Sequence, residues 1–227
     1  MNKLAIDCIE SWRKYLPDYE FKLWNEDNFD ISSNQYVKEA YQAKKYAFVT
    51  DYVRLYALKE EGGIYMDTDV EVLKSFNDLL HHEAFSGFES PEYVPTGIMA
   101  SVAHGEWVSE QIKFYNKRSF IKDDGSNDLT SNTLFITDKM VNGGFKLNNT
   151  LQIYKGMCFY PDEYFSPKRY GKTRLTDNTY CIHHFAGSWN SPGKRFKRWL
   201  TRNVLGENLT SSLVLIKKRF KNERVDF

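Results

Sequence analysis

Apolar side chains recur at three- and four-residue intervals in several stretches of the chain, a spacing that predicts amphipathic helices. Close to the start, Leu4, Cys8, Trp12 and Leu16 keep this spacing until Pro17, a residue that ends helices. Similar periodicity predicts further helices, one running from Ser33 or Asn34 to about Ala43 and others over residues 46–61, 105–118, 131–142, 192–204 and 209–221.

Shorter stretches with alternating or continuous apolar positions predict β-strands. They cover residues 19–24, 64–66, 70–73, 84–89, 96–101, 150–154, 157–160 and 179–185. Two glycines, Gly62 and Gly63, separate the helix over 46–61 from the strand that follows, as expected at a helix C terminus. Helices that alternate with strands favour a layered α/β sheet over a helical bundle or a β-sandwich.

Composition places the chain among folded proteins. Its 227 residues are enough for one large domain, alone or with a small appendage. The hydrophobic share of 41% excludes a disordered chain, and no run reaches the ~18 apolar residues that span a bilayer. The first residues show no signal-peptide pattern. Cys8, Cys158 and Cys181 are odd in number and lack metal-type spacing, which favours a reducing, cytoplasmic location.

Charge is unevenly distributed along the chain. Residues 191–227 hold ten basic and three acidic side chains, a net of +7, whereas the whole chain carries only +1. A basic tail of this kind predicts an anionic partner, either a phospholipid surface or nucleic acid. The alternative interpretation is a solvated charged face without a partner.

Two carboxylates, Asp67 and Asp69, come directly after the predicted strand over 64–66. Ligands of open α/β sheets bind at the carboxyl ends of strands, and a turn at Thr68 can direct both acids towards one ion. Carboxylate oxygens suit Mg²⁺ or Mn²⁺, and these ions in turn suit a diphosphate. The alternative is a pair of acids in an exposed turn.

Asp51 and Arg54 share one face of the helix over 46–61, because residues three apart in a helix are neighbours. An exposed ion pair would contribute only a few tenths of a kcal/mol. These two residues lie instead among apolar neighbours and on the helix that leads to Asp67. Arg54 can pair with a phosphate through two hydrogen bonds, and Asp51 can accept hydrogen bonds from sugar hydroxyls.

A third group lies near the end of the predicted strand over 179–185. His183 and His184 are adjacent, so in a strand they face opposite ways and at most one readily reaches a shared metal. Neutral imidazole is a common metal ligand. Trp189 can donate its indole N–H to a phosphate oxygen. The alternatives are a structural pair of histidines and a core tryptophan.

Residues 48–80, FVTDYVRLYALKEEGGIYMDTDVEVLKSFNDLL, closely resemble the sugar-binding DXD region of a glycosyltransferase family. The family includes bacterial capsular and cell-surface polysaccharide transferases and the yeast initiating α-1,6-mannosyltransferase, and it is distantly related to the large clostridial glucosylating toxins. The resemblance continues through ITDKMVNGGFKLNN, YPDEYFSP and IHHFAGSW, as far as Trp189.

The resemblance implies a GT-A fold, a Rossmann-like central sheet flanked by helices that binds a nucleotide sugar. Family members usually open with an additional strand and a Trp-bearing loop, so this chain is expected to be shortened and to lack the first strand. The expected organisation is a GT-A-like catalytic domain over residues 1–190 and a basic helical tail over residues 191–227.

The resemblance also implies roles for individual residues. Asp67 and Asp69 would bind the Mn²⁺ (or Mg²⁺) and the diphosphate, with His184 as the third metal ligand. The donor-binding residues would be Asp51, Arg54, Tyr65, Asp67, Ser188 and Trp189. The catalytic set would be Asp67, Asp69 and Arg54.

The function expected from the resemblance is retaining, metal-dependent transfer of a hexose to a polysaccharide or lipid-linked glycan, as in bacterial capsular polysaccharide biosynthesis. A UDP-sugar is favoured over a GDP-sugar as donor. The basic tail would hold a peripheral enzyme at the inner face of the membrane, and no nucleic acid is expected as partner. The alternatives are a non-catalytic sugar-nucleotide or glycan-binding protein and, less favoured, a phosphohydrolase with an aspartate nucleophile.

Overall fold

The computed structural model describes residues 1–94, 97–169 and 172–187. Residues 1–167 and 175–184 form one compact unit, called here the first unit, and all the site geometry below lies within it. Residues 168–174 and those from 185 onwards belong to a second unit, whose described part contains a short antiparallel pair of strands, β7 (Lys168–Arg169) and β8 (Lys172–Thr173). The predicted basic tail over residues 191–227 lies outside the described residues.

Five helices form where the hydrophobic periodicity predicts them. They are α1 (Lys3–Tyr15), α2 (Gln35–Gln42), α3 (Tyr46–Glu61), α4 (Glu106–Tyr115) and α5 (Asn132–Asn142). Side chains of Asn34 and Ser131 cap the amino termini of α2 and α5 by accepting backbone N–H bonds. Gly62 ends α3 with a φ of 74°, as the glycine pair predicts. None of the described helices is long and apolar enough to cross a membrane.

Seven of the described strands belong to the first unit. Five of them form one sheet in the order β1-β4-β3-β6-β5, and two form a separate ribbon, β2-β9. Their bounds are β1 (Gly63–Met66), β2 (Val70–Val72), β3 (Ala84–Gly87), β4 (Ile98–Ser101), β5 (Gln152–Tyr154), β6 (Met157–Tyr160) and β9 (Cys181–His183).

The five-stranded sheet of the described residues is mostly antiparallel, whereas the sheet of a Rossmann fold is mainly parallel. Among the described strands of this sheet, only β3 and β6 are parallel neighbours. A parallel neighbour requires a long crossover, whereas β3 and β4 are joined without a helix. Strands β5 and β6 form a hairpin whose two turn residues, Lys155 and Gly156, have φ values of 51° and 74°. The observed class is mixed α/β.

The predicted strand over residues 19–24 is wrong. This segment has an extended sequence pattern but forms no ladder with any described strand. Phe21 and Leu23, two of its apolar positions, are 48% and 76% exposed. A strand gains its stability from a hydrogen-bonded neighbour and a buried face, and here the tertiary structure provides neither.

The sheet separates two hydrophobic clusters, because successive strand residues point to opposite faces. Ala84 of β3 packs with α2, α3, α4 and α5 in one cluster. Its neighbour Phe85 packs in the other cluster, which includes Leu16 after α1 and Val70 and Val72 of the ribbon. The layer formed by helices α2 to α5 and the β2-β9 ribbon therefore cover opposite faces of the sheet. The candidate site lies at the carboxyl ends of β1 and β9.

Candidate metal centre and its surroundings

The pair Asp51 and Arg54 is buried in the helical layer. One carboxylate oxygen of Asp51 lies 3.1 Å from Nη2 of Arg54, and the two residues are 9% and 8% exposed. They lie on the inner face of α3 with Phe48 and Leu55. The pair is therefore a buried ion pair bordered by apolar side chains, and the interpretation as an exposed surface pair does not apply.

Arg54 connects this helix to the end of β1. Its Nη1 lies 3.3 Å from Oδ1 of Asp67, and its Nε donates to the carbonyl of Thr50 at 3.1 Å. The guanidinium carbon lies 4.7 Å from the centre of the Tyr65 ring. The Tyr65 hydroxyl donates to Oδ1 of Asp67 at 2.6 Å. These contacts hold Oδ1 of Asp67 and fix the orientation of its carboxylate.

Asp67 and Asp69 are brought together by a turn. The backbone N–H of Val70 donates to the carbonyl of Asp67 at 3.0 Å, and the N–H of Asp67 donates to Gly97 at 2.7 Å. The first bond closes a four-residue turn around Thr68 immediately after β1, and the second ties the start of this turn to the residue before β4. Both carboxylates then lie on one side of the chain, as the sequence pattern predicts.

The β2-β9 ribbon adds a histidine to the two carboxylates. Its register places His183 opposite Val70, the residue after Asp69. Nε2 of His183 lies 3.4 Å from Oδ1 of Asp69 and 3.7 Å from Oδ2 of Asp67. One ligand atom from each of these three residues lies within 4.8 Å of the others. The three residues are called the metal triad below.

His184, the histidine predicted as third ligand, is not part of the triad. Its Nε2 lies 2.8 Å from Oε2 of Glu71, and its backbone N–H donates to the carbonyl of Asp69. Adjacent strand residues point to opposite faces, so only one of the two histidines can face Asp67 and Asp69. The pairing register of β2 and β9 places His183 at the site. This register could not be predicted from the sequence alone.

Gly97, which the sequence pattern did not single out, leaves room for the His183 ring. A Cβ atom at residue 97 would lie only 2.7 Å from two ring atoms of His183. The described structure therefore requires a residue without a side chain at this position.

Ser188 and Trp189, predicted to close over the diphosphate, lie outside the described residues.

Burial and charge shift the pKa values of the site. Burial raises the pKa of Asp51 to about 6, although the Arg54 guanidinium opposes the shift. Burial alone would lower the pKa of His183, but the hydrogen bond and charges of Asp69 and Asp67 outweigh it, so that pKa is raised. Burial also raises the pKa of the Tyr65 hydroxyl, which therefore stays protonated and donates to Asp67.

The metal triad fits a divalent cation. Its donor set consists of two carboxylates and one imidazole, and carboxylate oxygens suit Mg²⁺ and Mn²⁺. The surrounding charges point the same way, because the carboxylates of Asp51 and Asp67 share the Arg54 guanidinium, and Asp69 adds a third carboxylate beside His183. A cation at the triad would offset this excess of negative charge.

Comparison with known proteins identifies the class to which this region is similar. Residues 3–86 match the model of the glycosyltransferase sugar-binding region containing a DXD motif. The matched segment contains Asp51, Arg54, Tyr65, Asp67 and Asp69, whereas His183 lies outside it. The chain is therefore similar to DXD-containing glycosyltransferases over less than half of its length.

Two fungal proteins show similarity over short segments. Inositol phosphoceramide mannosyltransferase 3 of Schizosaccharomyces pombe is 31% identical over 87 residues, 37% of this chain and 24% of the relative. Glucan organizing enzyme 1 of Cryptococcus neoformans is 45% identical over 47 residues, 21% of this chain and 13% of the relative. The matches thus span less than a quarter of either relative. No solved structure matches the chain.

Proposed function

We propose that this chain is a metal-dependent glycosyltransferase that moves a sugar from a nucleoside-diphosphate donor to a hydroxyl group of a glycan or lipid-linked acceptor. The observation that carries the proposal is the metal triad beside the buried Arg54, in a region that largely matches the family model. Two carboxylates, an imidazole and a guanidinium at one strand end form a suitable binding site for a metal and a diphosphate.

Asp67, Asp69 and His183 would hold a Mn²⁺ or Mg²⁺ ion, with His183 in the place first assigned to His184. When bound, the cation would offset the negative charge that develops on the departing nucleoside diphosphate. Tyr65 and Arg54 contact Oδ1 of Asp67, so Oδ2 is the oxygen that faces His183. This arrangement keeps the ligand oxygens together before any ligand binds.

Arg54 would bind the donor near its reacting end. Asp51 and the Thr50 carbonyl hold the guanidinium, so it reaches Asp67 in a defined orientation and does not need to be ordered during the reaction. A preorganised positive charge in a buried environment stabilises developing negative charge more strongly than a mobile surface arginine. Asp51 would accept a hydrogen bond from a sugar hydroxyl.

The finer parts of the proposal rest on the sequence and its resemblance. They are transfer with retention of configuration, a UDP-sugar as preferred donor over a GDP-sugar, closure of Ser188 and Trp189 over the diphosphate, and attachment of the basic tail to an anionic membrane surface at its cytoplasmic face. Retention without an enzymic nucleophile would proceed by front-face attack of the acceptor hydroxyl, with the leaving phosphate taking the proton.

Thermal unfolding with UDP or GDP, with and without Mn²⁺, tests the donor site. We expect one nucleotide to stabilise the chain only when Mn²⁺ is present, by ~2.7 kcal/mol at a concentration of 100 times its dissociation constant. This corresponds to a shift of ~5–11 °C for a chain of this size, at ~2–4 °C for each kcal/mol. Asp69→Asn should abolish the shift, and Asp123→Asn, which changes an exposed aspartate in a loop, should keep it.

Absence of any shift with either nucleotide and Mn²⁺ would contradict the proposed donor site. Where a nucleotide does bind, incubation of its sugar conjugate with the chain separates an enzyme from a binding protein. Release of the free nucleoside diphosphate supports a transferase. Binding of the sugar nucleotide without turnover supports the alternative of a non-catalytic sugar-nucleotide-binding protein.

A further inference from the structure

The amino terminus of α5 carries a buried amide of which one half has no partner in the described chain. Asn132, the first residue of the helix, is 4% exposed. Its Oδ1 accepts a hydrogen bond from the Tyr115 hydroxyl at 2.9 Å, which fixes the amide plane. Its Nδ2 has no hydrogen-bond partner among the described residues. A buried donor in this state calls for a partner, and an unmet one costs about 1–3 kcal/mol.

The residue that follows Asn132 links the start of α5 to a carboxylate. Thr133, the next residue of α5, donates through Oγ1 to Oε2 of Glu89 at 3.5 Å. Both Thr133 and Glu89 are half-buried, so a ligand can reach them from solvent. The first turn of α5 also presents backbone N–H groups that have no partner within the helix. The start of α5 thus carries an unpartnered amide donor and, on the next residue, a hydroxyl in contact with a carboxylate.

The sheet places this group beside the metal triad. Strands β1 and β3 are both antiparallel to β4, so they run in the same direction and end at the same edge. Asp67 follows β1 directly, and Glu89 is the second residue after β3. The two residues are separated by two strand spacings, about 10 Å. Glu89 also acts electrostatically on the His183 imidazole.

We infer that Glu89, Asn132 and Thr133 form a subsite that binds the hydroxyl groups of a sugar next to the metal triad. Sugar hydroxyls both donate and accept, so the hydroxyls of one sugar suit a carboxylate acceptor at Glu89 and an amide donor at Asn132. A phosphate would be repelled by Glu89, and a cation would meet the N–H groups of Asn132. The inference rests on the proposed function, because that function brings a sugar to the triad.

The sugar can come from the donor or from the acceptor, and isosteric variants separate these sources. Asn132→Asp keeps the oxygen that accepts from Tyr115 but replaces the unpartnered donor, and Glu89→Gln removes the carboxylate charge. Matched controls are Asn142→Asp, at the exposed end of α5, and Glu92→Gln, an exposed residue in the turn after β3. Calorimetric titration with UDP, UDP-glucose, GDP and GDP-mannose in Mn²⁺ measures donor affinity.

If the subsite holds the donor sugar, both variants should bind the preferred sugar nucleotide about tenfold more weakly, the effect of losing about one hydrogen bond to a charged or polar partner. Affinity for the corresponding nucleoside diphosphate should change little, and the controls should match the wild type. If the sugar belongs to the acceptor, donor affinity stays unchanged and the KM for transfer to methyl mannoside, glucoside or galactoside rises about tenfold.

Other results would overturn the subsite. Unchanged donor affinity together with unchanged transfer would show that Asn132 and Glu89 have only structural roles. If the variants bind the nucleoside diphosphate and its sugar conjugate equally weakly, the substitutions act on the metal triad and not on a sugar subsite. Thr133→Val, a third isosteric change, decides the matter if Asn132→Asp fails to fold. A wild-type chain that binds no nucleotide with Mn²⁺ would contradict the proposed function itself.

Discussion

At the residue scale, the two oxygens of Asp67 have different surroundings. Oδ1 receives the Tyr65 hydroxyl and lies beside Arg54, whereas Oδ2 lies 3.7 Å from Nε2 of His183. One oxygen is therefore held by the chain while the other faces the triad. This division explains how a carboxylate on a half-buried turn keeps a defined orientation without a bound ligand.

His183 should make metal affinity and stability depend on pH in opposite directions. Its folded pKa lies above the usual 6.5, so protonated His183 stabilises the metal-free protein below pH 6.5. This contribution is lost as the pH rises through the folded pKa. Only neutral imidazole binds metal, so Mn²⁺ affinity should rise over the same interval. Calorimetric titrations and urea unfolding between pH 6 and 8.5 measure both slopes.

Variants of the two histidines show which residue causes the pH dependence of Mn²⁺ affinity and of stability. His183→Gln should remove most of the pH dependence from Mn²⁺ binding and lower the affinity about tenfold or more, as expected for loss of a ligand. His184→Gln changes the neighbouring residue that contacts Glu71 and should leave both slopes in place. The reverse result would return the ligand role to His184 and contradict the triad.

At the scale of elements, α1 stabilises the ribbon that carries His183. The outer edge of β2 is not paired with any strand of the described residues. Instead, the indole Nε1 of Trp12 donates to the carbonyl of Val70 at 2.7 Å, and the Ser11 hydroxyl accepts from the N–H of Val72 at 2.8 Å. Side chains of a helix thus satisfy backbone groups that an open strand edge would expose.

Trp12→Phe should destabilise the chain by about 1–2 kcal/mol, because the Val70 carbonyl loses its donor while much of the aromatic contact is kept. Urea unfolding measures the change. Trp24→Phe is the matched control, since Trp24 is half-buried against the Tyr56 ring and its indole nitrogen donates to no described backbone carbonyl. Equal losses in both variants would show that ring packing, and not the hydrogen bond, is what matters at Trp12.

Gly97, the residue before β4, lies close to the ribbon, and this close approach gives a second prediction at this scale. Gly97→Ala should push the His183 ring out of position, because its Cβ would lie 2.7 Å from ring atoms. We expect a loss of about 1–3 kcal/mol in stability and weaker Mn²⁺ binding although no ligand is changed. In a double-mutant cycle, His183→Ala should cancel most of the stability loss without restoring metal binding. Additive losses would show that the two residues do not interact.

At the scale of the whole molecule, the charge is divided between an acidic body and a basic tail. Residues 191–227 carry a net charge of +7 while the whole chain carries +1, so the remaining residues carry −6. An acidic body is repelled by an anionic surface, and the tail is attracted to it, each Lys or Arg near the surface contributing ~1 kcal/mol. The sequence therefore predicts binding to anionic membranes through the tail.

Sedimentation with vesicles that contain phosphatidylserine tests this prediction on the full chain. Replacing Lys217, Lys218, Arg219 and Lys221 with glutamine should abolish binding at low salt. Replacing Lys38, Lys44, Lys113 and Lys117, which are exposed lysines of the body, is the matched control and should leave binding unchanged. Binding that survives the loss of the tail charges would contradict the role of the tail.

The sequence by itself determined the helices and most of the strands. Local signals suffice for them: hydrophobic spacing identifies α1 to α5, Asn34 and Ser131 cap two of them, and Gly62 ends α3. The sequence also placed Asp67 and Asp69 together, because four consecutive residues form the turn that joins them. Such features depend on residues that are near one another in the chain.

Only the tertiary structure decided which distant residues meet. The segment over residues 19–24 has a strand pattern but pairs with no described strand, the sheet is mostly antiparallel, and the ribbon register selects His183 over His184. A shift of the register by one residue would exchange the two histidines without changing any local preference. Pairing across more than a hundred residues depends on packing and on complementary backbone groups, so the position of His183 beside Asp69 cannot be read from the sequence of either strand alone.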